Sequence, residues 1–392
     1  MENRSFDHFL GWLPGSDGKQ AGLTFNDRSD HPHPTFDLRG DFQGCKNSDP
    51  DHSYGGGREE YDEGKCDGWL RAGDNDEYAI GYYGRSALPF FNKAAGDWTV
   101  CDSYFAAIMA ETFPNRIYQH AAQTDRLANK FTICNLPTIW DPLLEAGVTA
   151  GYYYSDVPFL ALWGSRYTRF ARPFAAFLGD CLLGTLPHVA FVDPPFIDEN
   201  LGTSTDDHPH ADVRRGQAFL HLIYEAVTHS RSWKNTVLVM TYDEWGGFFD
   251  HVPPPTAPIP PATSTAGDRD GRLGFRVPCL VVSPFARRNH VAHSPSYEYP
   301  VVYDHTSILK MIEWRWGLKP LTDRDSQARS MVDMLDLSAP NTAAPRYCLP
   351  APPFPKPCFP AARAEEPSEA NKWSTLGRMA MANGWPLWTS AF

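Results

Sequence analysis

Residues 236–244 read Thr-Val-Leu-Val-Met-Thr-Tyr-Asp-Glu, a short apolar run that ends in two adjacent carboxylates. A run of this length suits a strand buried on both faces of a parallel sheet. Asp243 and Glu244 would then project at its carboxyl end, where open α/β sheets bind ligands. Segments 148–153, 189–192 and 279–282 have the same form, and helical patterns alternate with them. Segment 212–229 carries Val213, Phe219, Leu220, Leu222, Ile223, Ala226 and Val227 at helical spacing. Segment 306–316 reads as another helix, stopped by Gly317. Strand–helix alternation predicts an α/β fold.

The formal charge of −12 argues against nucleic acid as the main partner, because backbone binding needs a basic face. It also repels anionic substrates at long range, so a phosphate ester would need a local cation such as a bound divalent metal. No apolar stretch approaches the roughly 20 residues of a membrane-spanning helix, so no transmembrane segment is expected. The 35 prolines, 30 glycines and 14% aromatic residues predict loop-rich insertions. Segment 40–85, rich in Gly, Asp and Tyr, is expected to be irregular structure over the site, and 253–267 a flexible loop. Composition changes after about Asp336: 340–360 is proline-rich and 365–385 reads as a short amphipathic helix. The expected division is a catalytic domain over 1–336 and an extension over 337–392 that wraps it.

None of the eight cysteines forms a C-x-x-C pair, which argues against a structural zinc site. Cys45 and Cys66 bracket a Gly-rich loop and Cys348 and Cys358 a proline-rich one, so either pair could be a local disulfide in an exported protein.

Three segments carry chemistry: Glu2-Asn3-Arg4-Ser5-Phe6-Asp7-His8, Thr112-Phe113-Pro114-Asn115-Arg116, and Asp243-Glu244-Trp245-Gly246-Gly247-Phe248-Phe249-Asp250-His251-Val252-Pro253. Two adjacent acids repel unless a cation or proton lies between them, yet an isolated Asp-Glu is equally a solvated strand end. Thr112 could be a nucleophile, or an ordinary N-cap before a helix that starts near Pro114.

In order and spacing these segments resemble the phosphoesterase family of bacterial phospholipases C, plant non-specific phospholipases C and related acid phosphatases. The resemblance covers roughly residues 1–336. It implies an alkaline-phosphatase-like fold, a mostly parallel sheet sandwiched by helices. It further implies one divalent metal ion held by Glu2, Asn3, Asp243 and Glu244, and no organic cofactor. Oxygen ligation favours Ca²⁺, Mg²⁺ or Mn²⁺, with Zn²⁺ a further option. Thr112 becomes the nucleophile, forming a phosphothreonine. His52, in Asp49-Pro50-Asp51-His52, and His208, in Asp206-Asp207-His208-Pro209, would contact the phosphoryl group, one of them protonating the leaving oxygen. His251 is expected either to orient the site or to be structural, His305 to cap a helix or support the site from behind, and His120 to pack.

The sequence departs from the family twice. Ala110-Glu111 stands where Gly-Pro commonly precedes the threonine, and the chain begins one residue before Glu2-Asn3. The family's first strand and the signal peptide usual before it are therefore not expected here, and Glu2 should sit on a fraying terminus. The function implied is phospholipase C cleavage of a glycerophospholipid to diacylglycerol and a phosphorylated headgroup. The rivals are an acid phosphatase on soluble monoesters and an inactive binding protein of the same fold. Trp69, Tyr78, Tyr82, Tyr83, Phe90 and Phe91 could dock on a lipid surface, but in a chain with 14% aromatic residues such rings are more often core. Family resemblance implies a secreted, periplasmic or cell-surface protein, whereas the missing signal peptide leaves a cytoplasmic one open.

Overall fold

In a computed structural model that describes residues 1–358 and 372–386, strand Leu238–Thr241 forms one edge of a four-stranded sheet. It pairs antiparallel with Cys279–Val282, which pairs antiparallel with Thr99–Cys101; His290–Ala292 completes the sheet, parallel to Thr99–Cys101. The expected parallel arrangement of 236–241 and 279–282 is therefore corrected. The chain between them never crosses to the far end of the sheet, and an antiparallel partner needs no such crossover. The return segment bonds along residues 104–109 before Cys279–Val282 begins.

Ala150–Tyr154 is the centre of a second, three-stranded sheet, parallel to both Ala171–Pro173 and Val189–Val192. Among the described strands five of the eight pairings are parallel, so the fold is α/β with mostly parallel pairing. Helix Val213–Thr228 starts where the Asp212 side chain accepts from the backbone N–H of Arg214, and buries Val213, Leu220, Ile223 and Val227. Leu222 points the other way and is exposed. Helix His305–Trp316 starts in an Asp304/Ser307 capping box and stops at Gly317, whose φ of 64° suits glycine.

Each sheet has its own core. Around the first pack Phe90, Phe91, Trp98 and Tyr224; around the second, Trp140, Tyr152, Tyr154 and Phe159, joined by Trp373, Leu376 and Ala380 of the C-terminal helix Lys372–Ala382. Trp69, Tyr78, Tyr83, Phe90 and Phe91 are all buried and Tyr82 is half-buried, so this set is core rather than a lipid-docking surface. Burying each of these rings is worth about 1.5–3 kcal/mol, which an exposed patch would forfeit. Segment 40–85 contains the helix Tyr54–Tyr61 and segment 253–267 the helix Pro261–Ala266, so neither is purely loop. Among the described residues no helix is long and apolar enough to cross a membrane.

The amino end does not fray. The Met1 ammonium donates to Thr241 O at 3.2 Å, Asp243 N to Met1 O at 3.1 Å, Glu2 N to Asp206 O at 2.8 Å and Arg4 N to Glu244 O at 3.1 Å. These bonds zip residues 1–4 onto the end of strand Leu238–Thr241, and burial there requires their backbone groups to stay paired. Ser5 then caps the helix Phe6–Leu10 by accepting from His8 N.

The disulfide is neither local pair. Cys45 bonds Cys358, 313 residues away, with the Cα atoms 5.3 Å apart. Cys66 is instead buried as a thiol with Trp69 and Phe275, and Cys348 is an exposed thiol. The folded Tyr54–Tyr61 helix carries Cys66 away from Cys45, and the proline-rich stretch after Cys348 contains no turn that would bring Cys358 back. Segment 337–358 lies along the domain, fixed by Trp233 Nε1 to Thr342 O (2.8 Å), Tyr224 OH to Pro345 O (2.6 Å) and Gln43 Nε2 to Lys356 O (2.9 Å). Of the helix expected over 365–385, the structure has Lys372–Ala382; residues 365–371 lie outside those described.

Candidate active site

Two glycines explain how distant segments meet. Gly246 and Gly247 have φ of 65° and 69°, a region that L side chains rarely adopt. A Cβ on Gly246 would lie 2.2 Å from Asn3 O, and one on Gly247 2.6 Å from Pro50 Cβ. The turn after Asp243-Glu244 therefore presses directly on the amino end and on the loop that carries His52.

Asn3 N donates to Asp243 Oδ1 at 3.1 Å, and Asn3 Nδ2 lies 3.3 Å from His52 Nε2. His52 Nδ1 donates to Pro50 O at 2.8 Å, which leaves Nε2 as the acceptor facing Asn3 and Glu244 Oε1, the latter 3.9 Å away. His305 Nε2 donates to the carbonyl of Asp243 at 2.5 Å and its Nδ1 accepts from Tyr104 OH at 3.1 Å, so it holds the acid strand end from behind.

Thr112 is the first residue of the helix Thr112–Ala121, which starts two residues before Pro114. Glu111 occupies the N-cap without capping through its side chain; its Oε2 accepts from Asn129 N at 2.5 Å instead. Asn115 fastens the preceding loop by accepting from Ile108 N at 3.0 Å and donating to Ala110 O at 2.7 Å. One turn on from Thr112, on the same face, Arg116 reaches three carboxylates: Glu2 Oε1 at 2.6 Å, Asp193 Oδ1 at 3.0 Å and Asp243 Oδ2 at 3.2 Å. The Thr112 hydroxyl is buried and accepts from Lys372 Nζ at 3.2 Å. Lys372 also lies 3.2 Å from Glu199 Oε1 and 3.5 Å from Glu2 Oε2. His208 joins through this network, its Nε2 standing 3.6 Å from Asp49 Oδ2 and 3.9 Å from Glu199 Oε1.

All seven residues expected at the site thus belong to one buried network. Sequence reasoning missed Arg116, Asp193, Glu199 and Lys372. Arg116 was visible as the residue one turn after Thr112, and Asp193 as the acid that follows a strand; nothing in the sequence marked Glu199 or Lys372. His251 lies elsewhere, 2.5 Å from Asp7 Oδ2. Among the described residues Asp7, Asp250 and His251 are the trio whose ligand atoms approach within 4.8 Å, and the Arg276 guanidinium fills that cluster at 3.2 Å from Asp7 and 2.9 Å from Asp250. His120 packs between aromatic rings, including Phe191 at 4.6 Å.

The acids at the site are short of positive charge. Burial first, then the nearby Asp243 carboxylate, pushes the Glu2 carboxyl up against the opposing pull of Arg116 and Lys372. Burial pushes Glu244 well above the usual range, against the pull of His52. Asp206 is pushed up to about 7 by burial and then by Glu2. His208 is held well below its usual value by burial, then by Lys372, so it is neutral. Among the described residues, the buried atoms that make no hydrogen bond include three on the expected metal ligands: Glu2 Oε2, Asn3 Oδ1 and Glu244 Oε1. Unbonded buried oxygens on raised-pKa carboxylates are the donor chemistry of a hard divalent ion, although the carboxylates of Glu2, Asp243 and Glu244 are not gathered within 4.8 Å and Arg116 bridges Glu2 and Asp243.

A buried helix-start hydroxyl among acids, cations and histidines suits phosphoryl transfer, and the family match identifies the chain as a phosphoric ester hydrolase. The Phosphoesterase family matches residues 1–319, and the chain belongs to it. It is similar to non-specific phospholipase C1 of Arabidopsis thaliana, 32% identical over 362 residues, covering 84% of this chain and 68% of that protein. Non-specific phospholipase C4 of the same plant is 31% identical, covering 88% of this chain and 72% of that protein. Phospholipase C B of Mycobacterium tuberculosis (strain ATCC 25618 / H37Rv) is 29% identical, with 87% and 77% covered. Among solved structures, the phosphonate monoester hydrolase of Agrobacterium radiobacter aligns at a TM-score of 0.36 and 11% identity, covering 64% of this chain and 73% of that one. At that distance it informs neither substrate nor mechanism.

Proposed function

We propose that this enzyme is a phospholipase C, cleaving a glycerophospholipid to diacylglycerol and a phosphorylated headgroup with Thr112 as nucleophile. The observation that carries the reading is the Thr112 hydroxyl, buried at a helix start 3.2 Å from a lysine ammonium and one turn from Arg116. The helix N-terminus favours phosphoryl oxygens in front of it. Thr112 Oγ attacks phosphorus in line as the bond from phosphorus to the diacylglycerol oxygen breaks, leaving a phosphothreonine. His52 and His208 are the proton carriers: one takes the Thr112 proton, and the departing alkoxide receives a proton in turn. Water then attacks the phosphothreonine, releasing the phosphorylated headgroup and restoring Thr112. A divalent cation held by Glu2, Asn3, Asp243 and Glu244 would supply Lewis-acid stabilisation of the phosphoryl oxygens. Residues 1–336 serve as the catalytic domain, and the extension over 337–392 completes its site. The Cys45–Cys358 disulfide supports an oxidising, extracytoplasmic location.

Burial of the aromatic set over 68–105 favours a second reading, an acid phosphatase on soluble monoesters. Turnover of phosphatidylcholine vesicles compared with p-nitrophenyl phosphate separates the two, diacylglycerol release marking the lipase. For either substrate Thr112→Ala is expected to lower kcat by roughly 10³-fold or more. Full activity in that variant would remove the covalent mechanism, and activity indifferent to chelation would remove the cation.

A further inference from the structure

The C-terminal helix sends a charged side chain into the core of a molecule whose catalytic segments end before residue 320. Lys372 is completely buried, and its Nζ meets Thr112 Oγ1, Glu199 Oε1 and Glu2 Oε2 at 3.2, 3.2 and 3.5 Å. Burying an ammonium costs several kcal/mol unless it is paired. Two carboxylates meet that need here, so the hydroxyl contact is additional to what neutralisation requires.

The placement is held by neighbouring residues. Trp373 stacks on Phe196 at 3.9 Å with the ring planes 8° apart, and its Nε1 donates to Glu199 Oε2 at 2.7 Å. Leu376 and Ala380 seat in the second core, and Trp385 Nε1 donates to Gly164 O at 2.7 Å. On the amino side the Cys45–Cys358 disulfide ties the extension to the body of the protein.

A phosphoryl group arriving at Thr112 meets Glu2, Glu199, Asp243 and Asp193 nearby, in a chain of net charge −12. The guanidinium of Arg116 is engaged by Glu2, Asp193 and Asp243. That of Arg4 donates to Asp207 O at 2.7 Å and lies 3.0 Å from His8 Nε2. Among the described residues, the cation hydrogen-bonded to Thr112 is Lys372. An ammonium that touches the nucleophilic oxygen remains within reach of the non-bridging oxygens of any phosphoryl group bonded to it. Its three N–H donors can turn from the hydroxyl to those oxygens without moving the helix.

We propose that Lys372, delivered by the C-terminal helix, is a catalytic residue that binds a non-bridging oxygen of the phosphoryl group while Thr112 attacks and while the phosphothreonine is hydrolysed. The inference rests on the reading of Thr112 as the nucleophile. It makes the extension part of the active site rather than a wrapping of it. The ligand chemistry at Lys372 is a phosphate dianion or a phosphodiester monoanion.

The test uses the full chain saturated with divalent cation, with inorganic phosphate as the probe. Titration calorimetry on wild type, Lys372→Met and Lys372→Arg is expected to show phosphate bound by wild type, weakened at least tenfold in Lys372→Met, and kept within tenfold in Lys372→Arg. Turnover of whichever substrate wild type hydrolyses, phosphatidylcholine vesicles or p-nitrophenyl phosphate, is expected to fall about 10²–10³-fold in kcat/KM for Lys372→Met, the usual loss of one preorganised donor, with partial rescue by arginine. Three results would overturn the proposal: no phosphate binding to wild type, equal binding in Lys372→Met, or higher turnover in Lys372→Met, which would make the lysine a plug. Should Lys372→Met not fold, Lys372→Arg decides, because loss of phosphate binding with the charge retained contradicts the proposal. Calorimetry repeated in Thr112→Ala separates the two readings, since phosphate binding needs no nucleophile: full turnover in Thr112→Ala removes only the covalent step.

Discussion

Gly246 packs on the backbone of Asn3, closely enough that a Cβ would stand 2.2 Å from the Asn3 carbonyl oxygen. This contact joins two segments more than 240 residues apart and sets the distance between the amino end and the acidic pair. Gly246→Ala must both distort a φ of 65° and push Asn3 away. The expected loss is about 1–3 kcal/mol for the backbone strain, with a further cost from the displaced contacts. Urea unfolding should show the destabilisation, and activity should fall more steeply than stability because Asn3 Oδ1 moves.

Arg116 is the largest single compensation for the buried acids, bridging Glu2, Asp243 and Asp193. Arg116→Met keeps much of the apolar volume and removes the guanidinium that bridges those carboxylates. Breaking a buried pair from one side costs about 3–5 kcal/mol. The variant is expected to unfold at markedly lower denaturant, and added divalent cation should recover part of the loss. Arg116→Lys should recover little, because an ammonium is a point charge without a planar fork.

The sequence carried the fold wherever a local rule decided it. Asp212 and Gly317 marked helix ends correctly, and runs 189–192 and 279–282 became strands over the same residues. It misled where tertiary pairing decides. The direction of 279–282 against 238–241 and the partner of Cys45 depend on contacts that no local pattern encodes. The site divides in the same way. Thr112 and Asp243 sit in motifs with a chemical signature, whereas Lys372 arrives from a helix whose sequence reads only as amphipathic. Glu2 was misjudged because a terminus frays by default, and here the end of strand Leu238–Thr241 supplies the missing partners.

The pH dependence follows from acids buried without full compensation. Asp206 and Asp207 are each raised from 3.8 to about 7, mainly by burial, and the folded state therefore holds their protons more tightly than the unfolded chain. Their contribution to stability is complete below pH 3.8 and is lost as pH rises towards about 7. Glu2 shifts in the same direction. Chelator-treated protein is expected to show a Tm that falls between about pH 4 and 7, once the general acid-range losses from other carboxylates are referenced to a Glu2→Gln, Asp206→Asn variant. Calcium, magnesium or manganese should flatten that slope by compensating Glu2 and its neighbours. A Tm that rises through this range in the same difference measurement would contradict the assignment.

The Cys45–Cys358 disulfide joins residues 313 apart, so its removal relaxes the unfolded state more than loss of a local bridge would. Cys358→Ser is expected to cost about 2–5 kcal/mol in unfolding free energy, read in denaturant. Cys358 lies 14 residues before Lys372 in sequence, and the stacked Trp373–Phe196 pair holds the helix that carries that lysine. Hydrogen exchange should therefore quicken in Lys372–Ala382 more than in Thr112–Ala121, which is fastened from its other side by Asn115 and Arg116. Equal protection of the two helices in Cys358→Ser would show that the core contacts of Trp373, Leu376 and Ala380 alone set the position of Lys372.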